Sequence, residues 1–322
     1  MRGWRLRITT SALHTSKATS ATLRRPHLSR LFHPSPTPST TPMADIETAK
    51  RNAAIRAVAD HFDPSFRYIG IGSGTTIVYV VEAITNLGAD TSRINFVPTG
   101  YQSRQVIVRA GLTPIAFDSL PKGVLMDVAF DGADEIDEDL NCIKGGGACL
   151  YQEKLVATHA RKFVCVADHR KLQKRLLTKW PTIPIEVEPL AAFTVLEALE
   201  DLGSKGPFIR EGHIIKAGPI KTDQDNFIVD APFPTLLIPS DLKHSQSDGK
   251  TGRGEGGVWV VEALAKEIKA LEGVLSVGLF VGFNGAEAAA WGKKLGGQKP
   301  VAAYFGMMDG EVIVRTAKDV QV

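Results

Sequence analysis

The chain reads as an α/β protein: a parallel sheet covered on both faces by helices, with a smaller α+β domain inserted in it or appended to it. Two observations predict this. From about residue 45 to 180, short β-type runs alternate with helical runs across brief connections, the order that builds parallel sheets. After Trp180 the rhythm changes to strand candidates separated by fewer helices, close to a βαββαβ unit.

The elements follow in order. A helix is predicted over 48–61, a strand over 67–71 that runs into "GSGTT", and a helix over 77–87. A strand at 94–98 precedes a helix at 101–110, and an apolar strand at 124–130 precedes "DGADE". The helix at 150–160 leads into the strand "FVCVAD" at 163–168. In the second part "IPIEVEP" reads as a strand and 191–202 as a helix. Antiparallel strand candidates come next at 208–210, 214–216 and 227–229, then a helix at 258–271 and one strand, "VLSVGLF", at 274–280. The polar, glycine-rich stretch "KHSQSDGKTGRGEGG" (243–257) has the composition of an exposed insertion. The expected organisation is an extension at 1–44, a parallel-sheet domain at 45–180 plus 275–322, and a small α+β domain at 181–274.

A hydrophobic fraction of 43% over 322 residues supports a sizeable core. Of the 38 Arg and Lys, seven lie in residues 1–42, which hold no Asp or Glu. The remaining 31 face 35 acids, so the body is about −4 and does not have the charge of a nucleic-acid binder. The basic segment is rich in Ser, Thr and Pro, the composition of an organelle-targeting leader or a disordered tail. Cytoplasmic residence is expected, with a mitochondrial location as the alternative if 1–42 direct it. Three cysteines (142, 149 and 165) without a CxxC pair argue against a disulfide framework, and no run of 18 uncharged apolar residues suggests a membrane span.

Chemistry concentrates in three stretches. "GIGSGTT" (70–76) lies between a strand and a helix, where glycine amides and the hydroxyls of Ser73, Thr75 and Thr76 can hold a phosphate. It does not meet GxGxxG, because Thr75 stands where the third glycine would be. Asp131 and Asp134 follow an apolar strand, at the carboxyl end where open parallel sheets place ligands; Glu135, Asp137, Glu138 and Asp139 read as a solvated loop edge. "KGGGACLYQEK" supplies Lys144, the glycines 145–147 and, nine residues after the lysine, Glu153 on a helix. The eight histidines form neither HExxH nor a cluster with cysteine, so neither a metal nor an organic cofactor is expected. Carboxylates, one lysine and exposed amides suit removal of a proton beside a sugar carbonyl and stabilisation of the resulting enediolate.

With these motifs in this order, "GIGSGTT", "FDGADEID", "IKGGGACLYQEKLVA" and "FVCVADHRK", the sequence resembles the ribose-5-phosphate isomerases of type A over about residues 46–320. The resemblance implies a Rossmann-like catalytic domain, a ferredoxin-like smaller domain and a homo-oligomer, dimer or tetramer. It implies Glu153 as the base that moves a proton between C2 and C1, Asp131 and Asp134 as carboxylates that bind the sugar and relay protons, and Lys144 beside the reacting oxygens. It further implies substrate contacts from Ser73, Gly74, Thr75, Thr76, Gly132, Ala133, Gly145, Gly146, Gly147 and Lys171, and one from Lys50 or Arg51 in the first helix. The implied ligand is a sugar phosphate, with no nucleic-acid or membrane partner. Three other readings stay open at this point: a sugar-phosphate-sensing module, a nicotinamide-dependent dehydrogenase, and an acyl-CoA transferase with Glu153 as nucleophile.

Overall fold

Helix α1 (Pro42–His61) begins the part of the chain described by the computed structural model, which comprises residues 42–212, 217–242 and 252–317. Its Ala53, Ala54, Ala57 and Val58 recur at helical spacing and are fully buried, a stripe of small side chains that brings the helix close against the sheet. Next come β1 (Tyr68–Ile71), α2 (Thr75–Asn86), β2 (Asn95–Pro98), α3 (Tyr101–Arg109) and β3 (Thr113–Pro114). The chain continues through β4 (Val128–Asp131), β5 (Glu135–Ile136), β6 (Cys142–Ile143), α4 (Leu150–Thr158) and β7 (Phe163–Asp168). The second part holds β8 (Ile183–Val187), α5 (Ala192–Asp201), β9 (Phe208–Ile209), β10 (Phe227–Ala231), the single turn α6 (Pro239–Leu242) and α7 (Val261–Ala270). It closes with β11 (Val274–Val277), β12 (Leu279–Phe280), α8 (Gly285–Ala290), β13 (Ala302–Gly306) and β14 (Val312–Thr316).

Seven strands form the main sheet in the order β14-β13-β7-β4-β1-β2-β3, all parallel except β14, which runs antiparallel to β13. Alternate residues serve opposite faces: Val128, Phe130, Val164 and Val166 join one core, and Ala129, Phe163, Cys165 and Ala167 the other. Both faces are dry, which explains why these strands read as continuous apolar runs. From β1 the chain moves outward through β2 and β3 and then returns to β1's other side as β4. Adjacent strands whose connections leave in opposite directions open a crevice at their carboxyl ends, the usual ligand position in such sheets.

The four-stranded sheet β11-β8-β10-β9 is antiparallel and draws its strands from residues 183–277. Val195 and Leu199 of α5 and Leu264 and Ile268 of α7 bury against its Ile185, Val187 and Val229. A three-stranded sheet, β12-β6-β5, stands beside the crevice.

Four expectations need correction or placement. "VLSVGLF" is not one strand, because Gly278 splits it into β11 and β12, which belong to different sheets. There the Gly278 N–H donates to the Pro184 carbonyl at 2.7 Å and its own carbonyl accepts from the Lys144 N–H at 2.8 Å. A Cβ at this position would sit 2.4 Å from the Lys144 oxygen, so only glycine fits. The strand expected at 124–130 begins at Val128, because Pro121–Val124 closes a turn. The candidate strand at 214–216, most of the 243–257 loop and the extension through residue 41 lie outside the described residues; within 252–257, Glu255–Gly257 forms a short 3-10 turn. The acidic run is not a solvated edge throughout: Glu135 and Asp137 are fully buried. Glu135 accepts the backbone N–H groups of Leu177 at 2.5 Å and Lys179 at 2.7 Å, and Asp137 accepts those of Asp139 at 2.9 Å and Asn141 at 2.8 Å. Both carboxylates satisfy loop amides that would otherwise be buried without partners.

Candidate active site

The crevice between β1 and β4 holds a cavity of about 210 Å³. Five segments line it: α1 through Lys50, the β1–α2 turn, the β4–β5 loop, the glycine loop with the first turn of α4, and the turn after β7. Three of these leave the carboxyl ends of the main-sheet strands β1, β4 and β7, so the rigid sheet sets their mutual positions.

Lys144 lies at its floor. The Nζ donates to the Gly132 carbonyl at 2.6 Å and stands 2.9 Å from Asp131 Oδ2 and 3.2 Å from Glu153 Oε2. All three side chains are buried; Asp131 and Lys144 are 3% exposed and Glu153 5%. Asp131 Oδ1 also accepts the Gly132 N–H at 2.7 Å. Gly72 passes so close that a Cβ there would lie 1.9 Å from that oxygen, and this packing explains the second glycine of "GIGSGTT". Glu153 Oε2, the oxygen nearest the ammonium, is buried and makes no hydrogen bond among the described residues beyond this ion pair.

Burial pushes Glu153 up to about 8, against the pull of Lys144 and with the repulsion of Asp131 and Asp134. Burial also raises Asp131 and Asp134 above the usual carboxylate range. Lys144 loses proton affinity through burial, but Asp131 and Glu153 more than restore it and hold it above the ordinary lysine value. The cluster therefore keeps a permanent cation beside a carboxyl group poised near neutrality, the condition for general base work.

The glycine loop is held from behind. Arg210, the residue just past the end of β9, forms a bidentate pair with Asp230, at 2.6 and 2.7 Å, and donates to the carbonyls of Gly145 and Gly146 at 2.9 and 3.1 Å. On its other side the Gly146 N–H donates to Asp134 Oδ2 at 2.7 Å. At the opposite end of the cavity no side chain caps α2, Lys50 Nζ donates to Thr75 Oγ1 at 3.0 Å, and Ser73 Oγ lies 2.9 Å from Thr99 Oγ1. An uncapped helix N-terminus with hydroxyls and a lysine is suited to an anion.

The structure brings Ser73, Gly74, Thr75, Thr76, Gly132, Ala133, Asp134, Lys144, the three glycines 145–147, Glu153 and Lys171 to this one cavity. Asp131 stands a layer behind, against Lys144. Of the two first-helix candidates, Lys50 lines the cavity; Arg51 instead pairs with Glu82 and lies over the Tyr79 ring. Sequence reasoning missed Asp168 and Arg170, which also line it. Arg170 grips Asp168 through two bonds of 2.6 and 2.9 Å; burial raises that carboxyl, but the guanidinium outweighs it and holds it low. The missed signal was positional: Asp168 ends β7 as Asp131 ends the neighbouring β4. The cysteines stay outside the chemistry, since burial pushes Cys149 up to about 12 and Cys142 and Cys165 are buried thiols.

Comparison with known proteins identifies the family. Residues 95–296 match the family model of ribose 5-phosphate isomerase A (phosphoriboisomerase A). The ribose-5-phosphate isomerase of Mycosarcoma maydis is 44% identical, with 87% of this chain and 85% of that protein covered. That of Schizosaccharomyces pombe is 42% identical, covering 86% and 96%. Among solved structures, ribose 5-phosphate isomerase A from Methanocaldococcus jannaschii superposes with a TM-score of 0.65 at 28% identity, over 84% of this chain and 99% of that one. A D-ribose-5-phosphate isomerase in complex with phospho-erythronic acid gives a TM-score of 0.64 at 29% identity, over 84% and 99%. With one sheet crevice, one buried lysine between two carboxylates and relatives matched over most of their length, the chain belongs to the ribose 5-phosphate isomerase A family.

Proposed function

We propose that the protein interconverts D-ribose 5-phosphate and D-ribulose 5-phosphate, a step of the non-oxidative pentose phosphate pathway, by proton transfer through a cis-enediolate. The observation that carries this is the Glu153 carboxyl, buried, raised to about 8 and 3.2 Å from Lys144, facing a cavity lined with anion-binding groups. The phosphate sits at the start of α2, held by Ser73, Gly74, Thr75 and Thr76 with Lys50 beside them, and Lys171 and Arg170 close the rim. This leaves C1 and C2 of the open-chain sugar over Lys144 and Glu153.

Glu153 takes the C2 proton and its electrons form the C1–C2 double bond, while the aldehyde oxygen gains negative charge against the Lys144 ammonium and the amides of the glycine loop. Protons redistribute between O1 and O2, Asp134 at the cavity wall serving as the relay, and Glu153 returns its proton to C1 to leave the ketone. Asp131 holds the Lys144 ammonium in place from behind. Phospho-erythronic acid, the ligand of the solved relative, is a phosphorylated sugar acid whose carboxylate resembles the paired oxygens of the enediolate, which supports the same class of ligand here.

Isomerisation of ribose 5-phosphate by the purified chain, compared with Glu153→Gln, tests the proposal. Turnover that falls by a factor on the order of 10³ or more in a folded variant is expected for loss of the base. A folded wild-type chain without turnover would refute it. We further infer a cytoplasmic homo-oligomer, dimer or tetramer, with a mitochondrial location if residues 1–42 direct one; sedimentation and imaging of a tagged full-length chain decide these. Among the described residues no helix is long and apolar enough to cross a membrane. The four-stranded sheet, whose last strand runs three residues past the expected 181–274 bounds, fits the role of a separate domain that braces the glycine loop through Arg210.

A further inference from the structure

The residue after the base carries the inference. Glu153 and Lys154 are successive on α4, so their side chains leave the helix about 100° apart and one cannot replace the other. Glu153 faces the active-site cavity, whereas Lys154 lines a second, more apolar cavity of about 680 Å³ between α4, α7 and the end of β11. Lys266, Lys269 and Glu262 of α7 line that cavity as well, but among the described residues no carboxylate is paired with Lys154.

Its Nζ instead donates to two backbone carbonyls, Val277 at 2.6 Å and Leu279 at 2.8 Å, with the Phe280 ring centroid 4.6 Å away. Those carbonyls flank Gly278, the residue where the chain passes from one sheet to the other. Gly278 donates to Pro184 at 2.7 Å and accepts the backbone N–H of Lys144 at 2.8 Å. The Lys144 side chain then returns to Glu153 at 3.2 Å. The contacts close a ring: base, neighbouring lysine, crossover, catalytic lysine, base. Burial, with Lys269 nearby, lowers the Lys154 amine to about 7, and a neutral amine still has two N–H groups for its two carbonyls, so the ring survives in either charge state.

We propose that Lys154 is a positioning residue for the isomerase reaction: by tying α4 to the β11–β12 crossover, it sets the separation of the Glu153 carboxylate from the Lys144 ammonium. This rests on the isomerase reading above. The β1–α2 turn that holds the phosphate takes no part in the ring, so loss of the tie disturbs the chemical step more than substrate binding.

The test is steady-state kinetics of Lys154→Met across pH, with Lys269→Met as the comparison. Lys269 lines the same cavity but donates to Val274 and Leu275, ahead of the crossover. Lys154→Met is expected to lower kcat by about 10- to 100-fold, the cost of a misplacement on the order of 1 Å, with KM within about threefold. Its rising limb of kcat/KM should move to higher pH, because Glu153 loses part of the pull of Lys144. Lys269→Met is expected to keep both the rate and the limb. If Lys154→Met does not fold, Lys154→Gln, which keeps one amide donor group, is read the same way and should fall between the two.

A folded Lys154 variant with wild-type kcat and an unmoved limb would overturn the proposal. So would an equal loss in Lys269→Met, which would make the effect one of cavity packing. An inactive wild type is a different failure, since it removes the isomerase reading on which this inference stands.

Discussion

Glu153 is costly to the fold and useful for the same reason. Its carboxyl is raised to about 8 because charging it in the cavity floor is unfavourable, and it can act as a base only once charged. The kcat/KM profile should therefore rise with unit slope through about pH 8, measurable with saturating and limiting ribose 5-phosphate between pH 6 and 10. The same shift has a stability consequence with a definite sign. The folded-state value lies above the unfolded one, near 4, so this group's contribution is fully present below about pH 4 and is lost as pH rises through about 8. Glu153→Gln should then match the wild type in chemical denaturation near pH 5 and exceed it at pH 9, by on the order of 1–3 kcal/mol once the weakened company of Lys144 is discounted. A variant less stable than wild type at pH 9 would show that the ion pair outweighs the burial. Most of the site is legible at this scale, because loop amides, hydroxyls, Lys144 and Glu153 sit within short contiguous motifs. Burial is not: Glu135 and Asp137 are written like the solvated acids beside them, and only the tertiary path of 175–180 and the turn at 137–141 turn them inward.

Among the elements, the β11–β12 crossover links the two sheets to the chemistry. A seven-residue, mostly apolar run with valines at 274 and 277 reads as one strand from sequence, and nothing local marks Gly278 as a place where partners change. The reason lies in distant oxygens: its missing Cβ makes room for the carbonyls of Lys144 and Pro184. Gly278→Ala should force that backbone apart, with destabilisation of about 2–4 kcal/mol from overpacking and two strained hydrogen bonds, and with a fall in kcat that urea titration and kinetics measure together. Full stability with full activity would show that the crossover can relax. By contrast the strand, turn and helix order of 67–168 was readable, since parallel strands buried on both faces are continuous apolar runs and their βα turns carry glycine.

For the whole molecule, the alternation predicted an α/β fold, and the structure has a seven-stranded sheet whose outer members were not anticipated. Residues 302–306 and 312–316 were missed although "GGQKP" ahead of them and the Asp-Gly of "MMDG" between them frame a hairpin, because each strand is only five residues long. Among the described residues the cavity draws on nothing earlier than Lys50. A chain beginning at residue 42 should therefore keep kcat within about twofold of the full chain, a comparison of two purified proteins. The sheet order also bears on synthesis. The strand β13 is made near the end of the chain yet lies inside the sheet, between β7 and β14. While a ribosome is still making residues 169–300, β7 can already pair with β4 but its other side is an unprotected hydrogen-bonding edge of apolar residues, the kind that recruits strands from neighbouring chains. The β13–β14 hairpin is thus the cap that makes the nascent catalytic half safe from aggregation, and translation that stalls before it leaves a half-built site with an adhesive edge.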